Sequence, residues 1–371
     1  MKIIFAFDSF KGSLAADLAC TVAAEATAPK NIETILMPMA DGGEGTTVAL
    51  TKALGGTIVN ATTHGPLPDK PAQAFFGWCE NQRLAVVEMA AASGLTLLQD
   101  HERNPLLTTT YGTGELLLHA AHKKPKHIFL GAGGSATVDG GTGVARALGW
   151  SFLDAKGHAV PDGGGFLHLI SSIIRPDDLD LPPIDVLCDV TNPLTGPHGA
   201  AQTFALQKGA NYDAVTKLEE GLHHLAGCVK SQLGIDIETQ PGGGAAGGLA
   251  AGAVVWMNAQ LVSGIDRILD LYQFDKVCRD ADWIVTGEGK LDDQSLNGKV
   301  VSGILARARR TNPSLRIAVI AGKLGLTKET IFGAGIHYAG AITPDNLSFA
   351  EACGHAPKLL KAAIDRFITA L

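Results

Sequence analysis

TIVNATTHGPLPDKPAQAFFGWCE, residues 57–80, breaks the rhythm of the chain around it. Elsewhere short β-branched or aliphatic runs alternate with helical segments, the pattern of an α/β protein with a largely parallel sheet. Here two strand-like runs flank HGPLPDK, a turn-rich stretch, and the pair reads as a β-hairpin. A hairpin among βα units marks the start of a second domain. The regular rhythm resumes at DWIVTG and continues to the C-terminus. The expected fold is α/β with two domains: a discontinuous first domain, 1–57 and 283–371, with five parallel strands, and an inserted domain, 58–282, with a more mixed sheet.

Working outward, the expected strands are KIIFAF (2–7), TILMPM (34–39), AVVEMA (85–90), HIFLGA (127–132), DVLCDV (185–190), DWIVTG (282–287), RIAVIAG (316–322) and HYAGAIT (337–343). Helical patterns lie between several of them, among them 14–26, 46–55, 114–124 and 303–310.

A chain of 371 residues exceeds one ordinary core, which agrees with two domains. Hydrophobic content of 46% and charged content of 18% describe a globular protein rather than a disordered one. Net charge is −7, and the one compact basic cluster, Arg307, Arg309 and Arg310, reads as a solvated helix face; no nucleic-acid partner is expected. The six cysteines are scattered and form no C-x-x-C pair, as in reduced cytosolic proteins. No signal-peptide core or membrane span is visible, so the expected location is cytoplasmic, with no membrane partner, as a monomer or homodimer.

The polar motifs share one position. DSFKGS (8–13), ADGGEGT (40–46), GAGGSATVDGG (131–141), CDVTNPLTG (188–196), GEGKLDD (287–293) and AGKLG (321–325) all begin at the carboxyl end of an expected strand. Ligands bind at that end of open α/β sheets, so a single cleft between the domains is expected. Carboxylates beside lysines and glycine-lined helix starts are what phosphoryl transfer to a small substrate needs. Mg²⁺ takes one or two carboxylates plus phosphate oxygens, lysines and N–H groups neutralise charge, and a carboxylate accepts the hydroxyl proton.

GAGGSATVDGGTG, 131–143, admits other readings. Gly131, Gly133 and Ala136 fit the G-x-G-x-x-G/A dinucleotide fingerprint, with Asp154 a potential ribose ligand. That acidic residue, however, sits in a short run ending in a turn, DAKG, and a hydride-transfer site leaves the lysines and carboxylates unexplained. Close strand-to-helix packing without a ligand is the plain alternative. Ser13 could be only a helix N-cap, Asp41 and Glu44 could cap the following helix, and PGGGAAGGLAAG (241–252) could be close helix packing. The P-loop pattern and the G-x-S-x-G elbow are both absent. A small-acid dehydrogenase and a non-enzymatic binder of a small organic acid stand as rival functions.

Taken jointly, DSFKGS, PMADGGEGT, EMAAASGL, TTTYGTGELL, GAGGSATVDGGTGVARALG, CDVTNPLTGPHGAA, QKGA, PGGGAAGGLAAG and GEGKLDDQSLNGK resemble the type I glycerate kinases. They occur in that family's order and cover residues 8 to 299. The resemblance implies a flavodoxin-like domain with a second α/β domain inserted, Mg²⁺ and ATP as cofactors, and D-glycerate as substrate, with 2-phosphoglycerate the common product. Two positions depart from it. Thr191 stands where the family usually has an acidic residue, and Lys290 where it usually has arginine, whose bidentate fork lysine cannot form.

The assignment that follows has Lys11 and the backbone near Ser9 and Ser13 holding the substrate carboxylate. ATP's phosphates are expected on Gly131, Gly133, Gly134, Ser135 and Thr137. Asp41 and Asp189 are the metal candidates; Asp189 is the expected base and Asp41 the expected metal ligand, with the swapped assignment the alternative. Lys290 offsets charge on the moving group, with Lys11 also counted among the catalytic residues.

Overall fold

The structure, a computed structural model, describes the chain apart from Lys11, Asp41, Glu44, Gln294, Asn297, Gly298, Lys299, Asp345 and Asn346. Its strands are β1 (Lys2–Phe7), β2 (Glu33–Leu36), β3 (Thr57–His64), β4 (Pro71–Cys79), β5 (Leu84–Glu88), β6 (His127–Gly131), β7 (Ser151–Leu153), β8 (Ser172–Ile174), β9 (Ile184–Leu187), β10 (Gln260–Val262), β11 (Trp283–Gly287), β12 (Lys290–Leu291), β13 (Arg316–Ala321), β14 (Lys323–Leu324) and β15 (Tyr338–Ala341). Two compact units result. Met1–Asp41, Val48–Leu54 and Gly264–Leu371 form the first, Gly42–Thr47 and Gly55–Ser263 the second. Residues 264–282, which the sequence pattern put at the end of the insertion, group with the first unit. There Arg307, on helix Val300–Thr311, binds Asp270 at 2.5 Å and Asp275 at 2.7 Å.

The first unit is built on a five-stranded sheet in the order β2-β1-β11-β13-β15, with every pairing parallel. Counted within the unit this is 2-1-3-4-5, the flavodoxin-like order. Its strands are continuous apolar runs because both faces are covered. Ile3, Phe5 and Phe7 join one core with Leu360, Ile364 and Phe367 of helix Ala356–Thr369, while Ile4 and Ala6, pointing the other way, are equally buried. Each enclosed Phe contributes roughly 1.5–3 kcal/mol. Helix Ala16–Thr27 lays Ala16, Ala19, Cys20, Ala23 and Ala26 inward at helical spacing.

The second unit holds a six-stranded sheet, β10-β9-β6-β5-β4-β3. The hairpin β3–β4 is antiparallel, as is β4–β5, and β5, β6, β9 and β10 run parallel. The mixed sheet thus comes from a hairpin grafted onto βα units. Its longest helix, Tyr212–Leu233, starts at Asn211, whose side chain accepts the Ala214 N–H, and stops at Gly234 in the left-handed region. Val215, Leu218, Leu222, Leu225 and Val229 form its buried stripe. No helix among the described residues is long and apolar enough to cross a membrane.

Candidate active site

In the first unit, strand order reverses between β1 and β11, the switch point where open α/β sheets bind ligands. The two strands are tied at their ends, where the Asp8 N–H donates to the Gly287 carbonyl at 2.9 Å. Ser9 follows, its N–H bound to Asp8 Oδ1 at 2.7 Å. Ser13 does not cap the next helix: Ala15 is at the cap, and the Ser13 hydroxyl donates to the Phe10 carbonyl at 2.9 Å. On the neighbouring loop, the β12–β14 ribbon sets Lys290 opposite Lys323. The Lys290 side chain is 62% exposed and lies 3.4 Å from Asp292 Oδ2. Ser9, Ser13 and Lys290 therefore share the carboxyl edge of one sheet. Lys11 lies outside the described residues.

In the second unit the glycine-rich loop after β6 divides into parts with different tasks. Gly131 and Gly133 serve close packing. A Cβ on Gly133 would stand 2.6 Å from the Gly43 Cα, and the Gly133 N–H donates to the Gly42 carbonyl. These glycines thus admit the backbone of Gly42 and Gly43. Gly134, by contrast, is exposed, and among the described residues no acceptor meets the N–H groups of Gly134 and Ser135. The Ser135 hydroxyl accepts a 2.6 Å hydrogen bond from Lys208 Nζ. Thr137 is fully enclosed, and its carbonyl accepts Lys208 at 2.8 Å. Its hydroxyl is buried and has no hydrogen-bond partner among the described residues.

Beneath the loop, Asp139 is fully buried and accepts from Thr110 N and Oγ1, both at 2.8 Å, from Gly141 N at 3.0 Å and from Gly143 N at 3.3 Å. Burial raises its carboxyl pKa, against which the donors act. Burial lowers the Lys208 ammonium to about 7 while Asp139 pulls it back up. The second glycine-rich stretch clamps the same loop from below. Gly140 donates to the Gly247 carbonyl and the Trp256 indole donates to the Gly140 carbonyl, both at 3.1 Å. For PGGGAAGGLAAG the close-packing reading therefore holds.

Two residues beside these loops escaped the sequence reading. Glu88, ending β5, accepts the N–H groups of Gly45 and Thr47 at the start of helix Thr46–Ala53, the place considered above for Asp41 and Glu44. Asp41 and Glu44 themselves lie outside the described residues. Lys208 sits in the short QKGA segment, where nothing in composition or spacing marks it as buried.

Asp189 follows β9, and its Oδ1 accepts the Ser263 hydroxyl at 3.3 Å. Thr191 is exposed two residues on. Among the described residues no group of three or more His, Cys, Asp or Glu forms a metal cage. A carboxylate such as Asp189 offers the oxygen ligands that Mg²⁺ takes beside phosphate oxygens and waters.

The dinucleotide reading fails on topology. After the loop and helix Thr142–Ala147 the chain enters β7, which pairs with β8 in a separate antiparallel ribbon rather than extending the sheet. Asp154 there closes a turn, accepting the N–H groups of Lys156 and His158.

The described glycerate kinase family profile matches residues 3–371. A glycerate kinase from Bacillus cereus (strain ATCC 10987 / NRS 248) is 40% identical over 95% of this chain and 93% of its own length. The chain belongs to the glycerate kinase family. The glycerate 2-kinase of Escherichia coli (strain K12) is 39% identical over 84% of this chain and 82% of that one. A crystal structure from Salmonella typhimurium LT2 superposes with a TM-score of 0.88 at 36% identity, covering 100% of this chain and 98% of that one. The kinase therefore combines a flavodoxin-order sheet and an inserted mixed sheet within a family fold, and no P-loop is needed to account for its glycines.

Proposed function

We propose that this glycerate kinase transfers the γ-phosphoryl group of ATP to the 2-hydroxyl of D-glycerate, giving 2-phosphoglycerate and ADP in the cytoplasm. The observation that carries the nucleotide assignment is the Gly134–Ser135 stretch, with two N–H groups lacking acceptors among the described residues beside a serine hydroxyl. Backbone donors without a protein acceptor match phosphate oxygens. Gly131, Gly133 and Thr137 support that stretch from behind.

The substrate hydroxyl oxygen attacks the γ-phosphorus as the bond to the β-phosphate oxygen breaks, and the hydroxyl proton passes to a carboxylate of Asp189. Lys290 offsets charge on the moving group. The substrate carboxylate is held by Lys11 and the backbone around Ser9 and Ser13. Asp41 and Asp189 are the carboxylates that would hold Mg²⁺, which when bound neutralises charge on the phosphate oxygens.

The deciding experiment couples ADP release to D-glycerate addition and assigns the product by NMR. ADP formation with 2-phosphoglycerate supports the reading. NADH-dependent turnover of hydroxy acids without ADP, or binding without turnover, overturns it. Asp189→Asn is expected to lower kcat by about 10²–10⁴ with a smaller change in glycerate KM; near-normal turnover removes Asp189 as base.

A further inference from the structure

Lys208 is the only buried lysine or arginine among the described residues, at 3% exposure. It ends the short turn Leu206–Lys208 after helix Ala200–Phe204 and reaches under the glycine-rich loop. Its Nζ donates to Ser135 Oγ at 2.6 Å and to the Thr137 carbonyl at 2.8 Å. Removing an ammonium from water costs several kcal/mol, which a methionine or leucine of similar length would not incur. Packing alone therefore does not account for a lysine here. Because the Ser135 oxygen accepts from Lys208, the serine's own proton is left for another acceptor; Ser135 is 6% exposed and adjoins the exposed Gly134.

We propose that Lys208 is a positioning residue for the nucleotide phosphates: it fixes Ser135 as an outward hydrogen-bond donor and places a positive charge beneath Gly134–Ser135. The inference rests on the assignment of phosphate to this loop. The charged group facing Lys208 is Asp139, and Ser135 and Thr137 present only neutral oxygens. Burial holds the ammonium near neutrality, so arriving phosphates draw a proton onto it.

The test is calorimetry of a non-hydrolysable ATP analogue with Mg²⁺ at about pH 7.5, in two buffers of different ionisation enthalpy. Wild-type enzyme is expected to take up a proton on binding. Lys208→Met is expected to weaken the analogue about 10-fold or more and to abolish the uptake, with D-glycerate affinity unchanged. A purely structural lysine would leave the proton count as it is; equal affinity or equal uptake in a folded Lys208→Met overturns the proposal. Should that variant fail to fold, Ser135→Ala decides. It retains Lys208 and is expected to bind about 10-fold more weakly with uptake intact, and unchanged affinity again overturns the role. Gly134→Asp against Gly134→Asn separates the two levels, since both tolerate the left-handed backbone there and differ in charge. If Asp binds the analogue as well as Asn does, the phosphates lie elsewhere and both readings fall. If Asp alone weakens binding while Lys208→Met does not, only the role of Lys208 falls.

Discussion

The carboxylate of Glu88 accepts the backbone N–H of Thr47 at 2.5 Å, across 41 residues of chain. It also takes the Gly45 N–H at 3.1 Å. One side chain ending β5 thereby ties down the entry to helix Thr46–Ala53, shortly after the Gly42 and Gly43 backbone that packs on Gly133. Glu88→Ala leaves two amides short of their acceptor and should cost about 1–3 kcal/mol in urea unfolding. Glu88→Gln keeps an acceptor oxygen without the charge that complements the helix N-terminus and should fall between wild type and alanine. An alanine variant as stable as wild type would show that solvent replaces Glu88 at no cost.

The two glycine-rich stretches meet at Gly247, whose φ is +66° and where a Cβ would stand 1.9 Å from the Thr137 carbonyl oxygen. Gly247→Ala should therefore destabilise by more than about 2 kcal/mol and disturb the loop that carries Ser135. Gly227 is the counterpart: it lies inside helix Tyr212–Leu233, exposed, with nothing within 4 Å of an added Cβ. Gly227→Ala should stabilise by roughly 0.5–1 kcal/mol. Melting curves of the two variants should move in opposite directions.

These glycines show how far the sequence could be read. The parallel strands were legible because their apolar runs are buried on both faces, and the hairpin because HGPLPDK separates two alternating runs. The loop 131–143 was recognisable as special, yet which glycines face a ligand and which face Gly42 and Gly43 depends on a segment nearly 90 residues earlier. Glu88 closes an apolar strand and Lys208 sits in an unremarkable turn. Their partners are remote backbone amides and a serine, and no local pattern encodes those. Ser13 fits an N-cap by composition but lies two residues before the true cap, Ala15, and bonds backward to Phe10.

Lys208 also gives the fold a pH dependence whose sign is set. Its pKa is about 7 in the native state against 10.5 for the unperturbed group. Between those values the unfolded chain binds a proton that the native chain does not, so stability rises with pH. Without ligand, the Tm of wild type should climb relative to that of Lys208→Met from about pH 6.5 to about pH 8.5. A constant difference across that range would mean that the native lysine stays protonated throughout.

Lys290 offers the cleanest separation of chemistry from folding. Its side chain is 62% exposed and its ion pair with Asp292, at 3.4 Å, is at the surface, where removal costs little stability. If its charge offsets that of the moving phosphoryl group, Lys290→Ala should lower kcat about 100-fold while Tm stays within error of wild type. Lys290→Arg should retain activity or raise it, since a guanidinium adds a bidentate contact to phosphate that the ammonium lacks. Steady-state kinetics with D-glycerate and ATP read both. Unchanged turnover in the alanine variant would confine Lys290 to the surface of the β12–β14 ribbon and move the charge-offsetting role to another group.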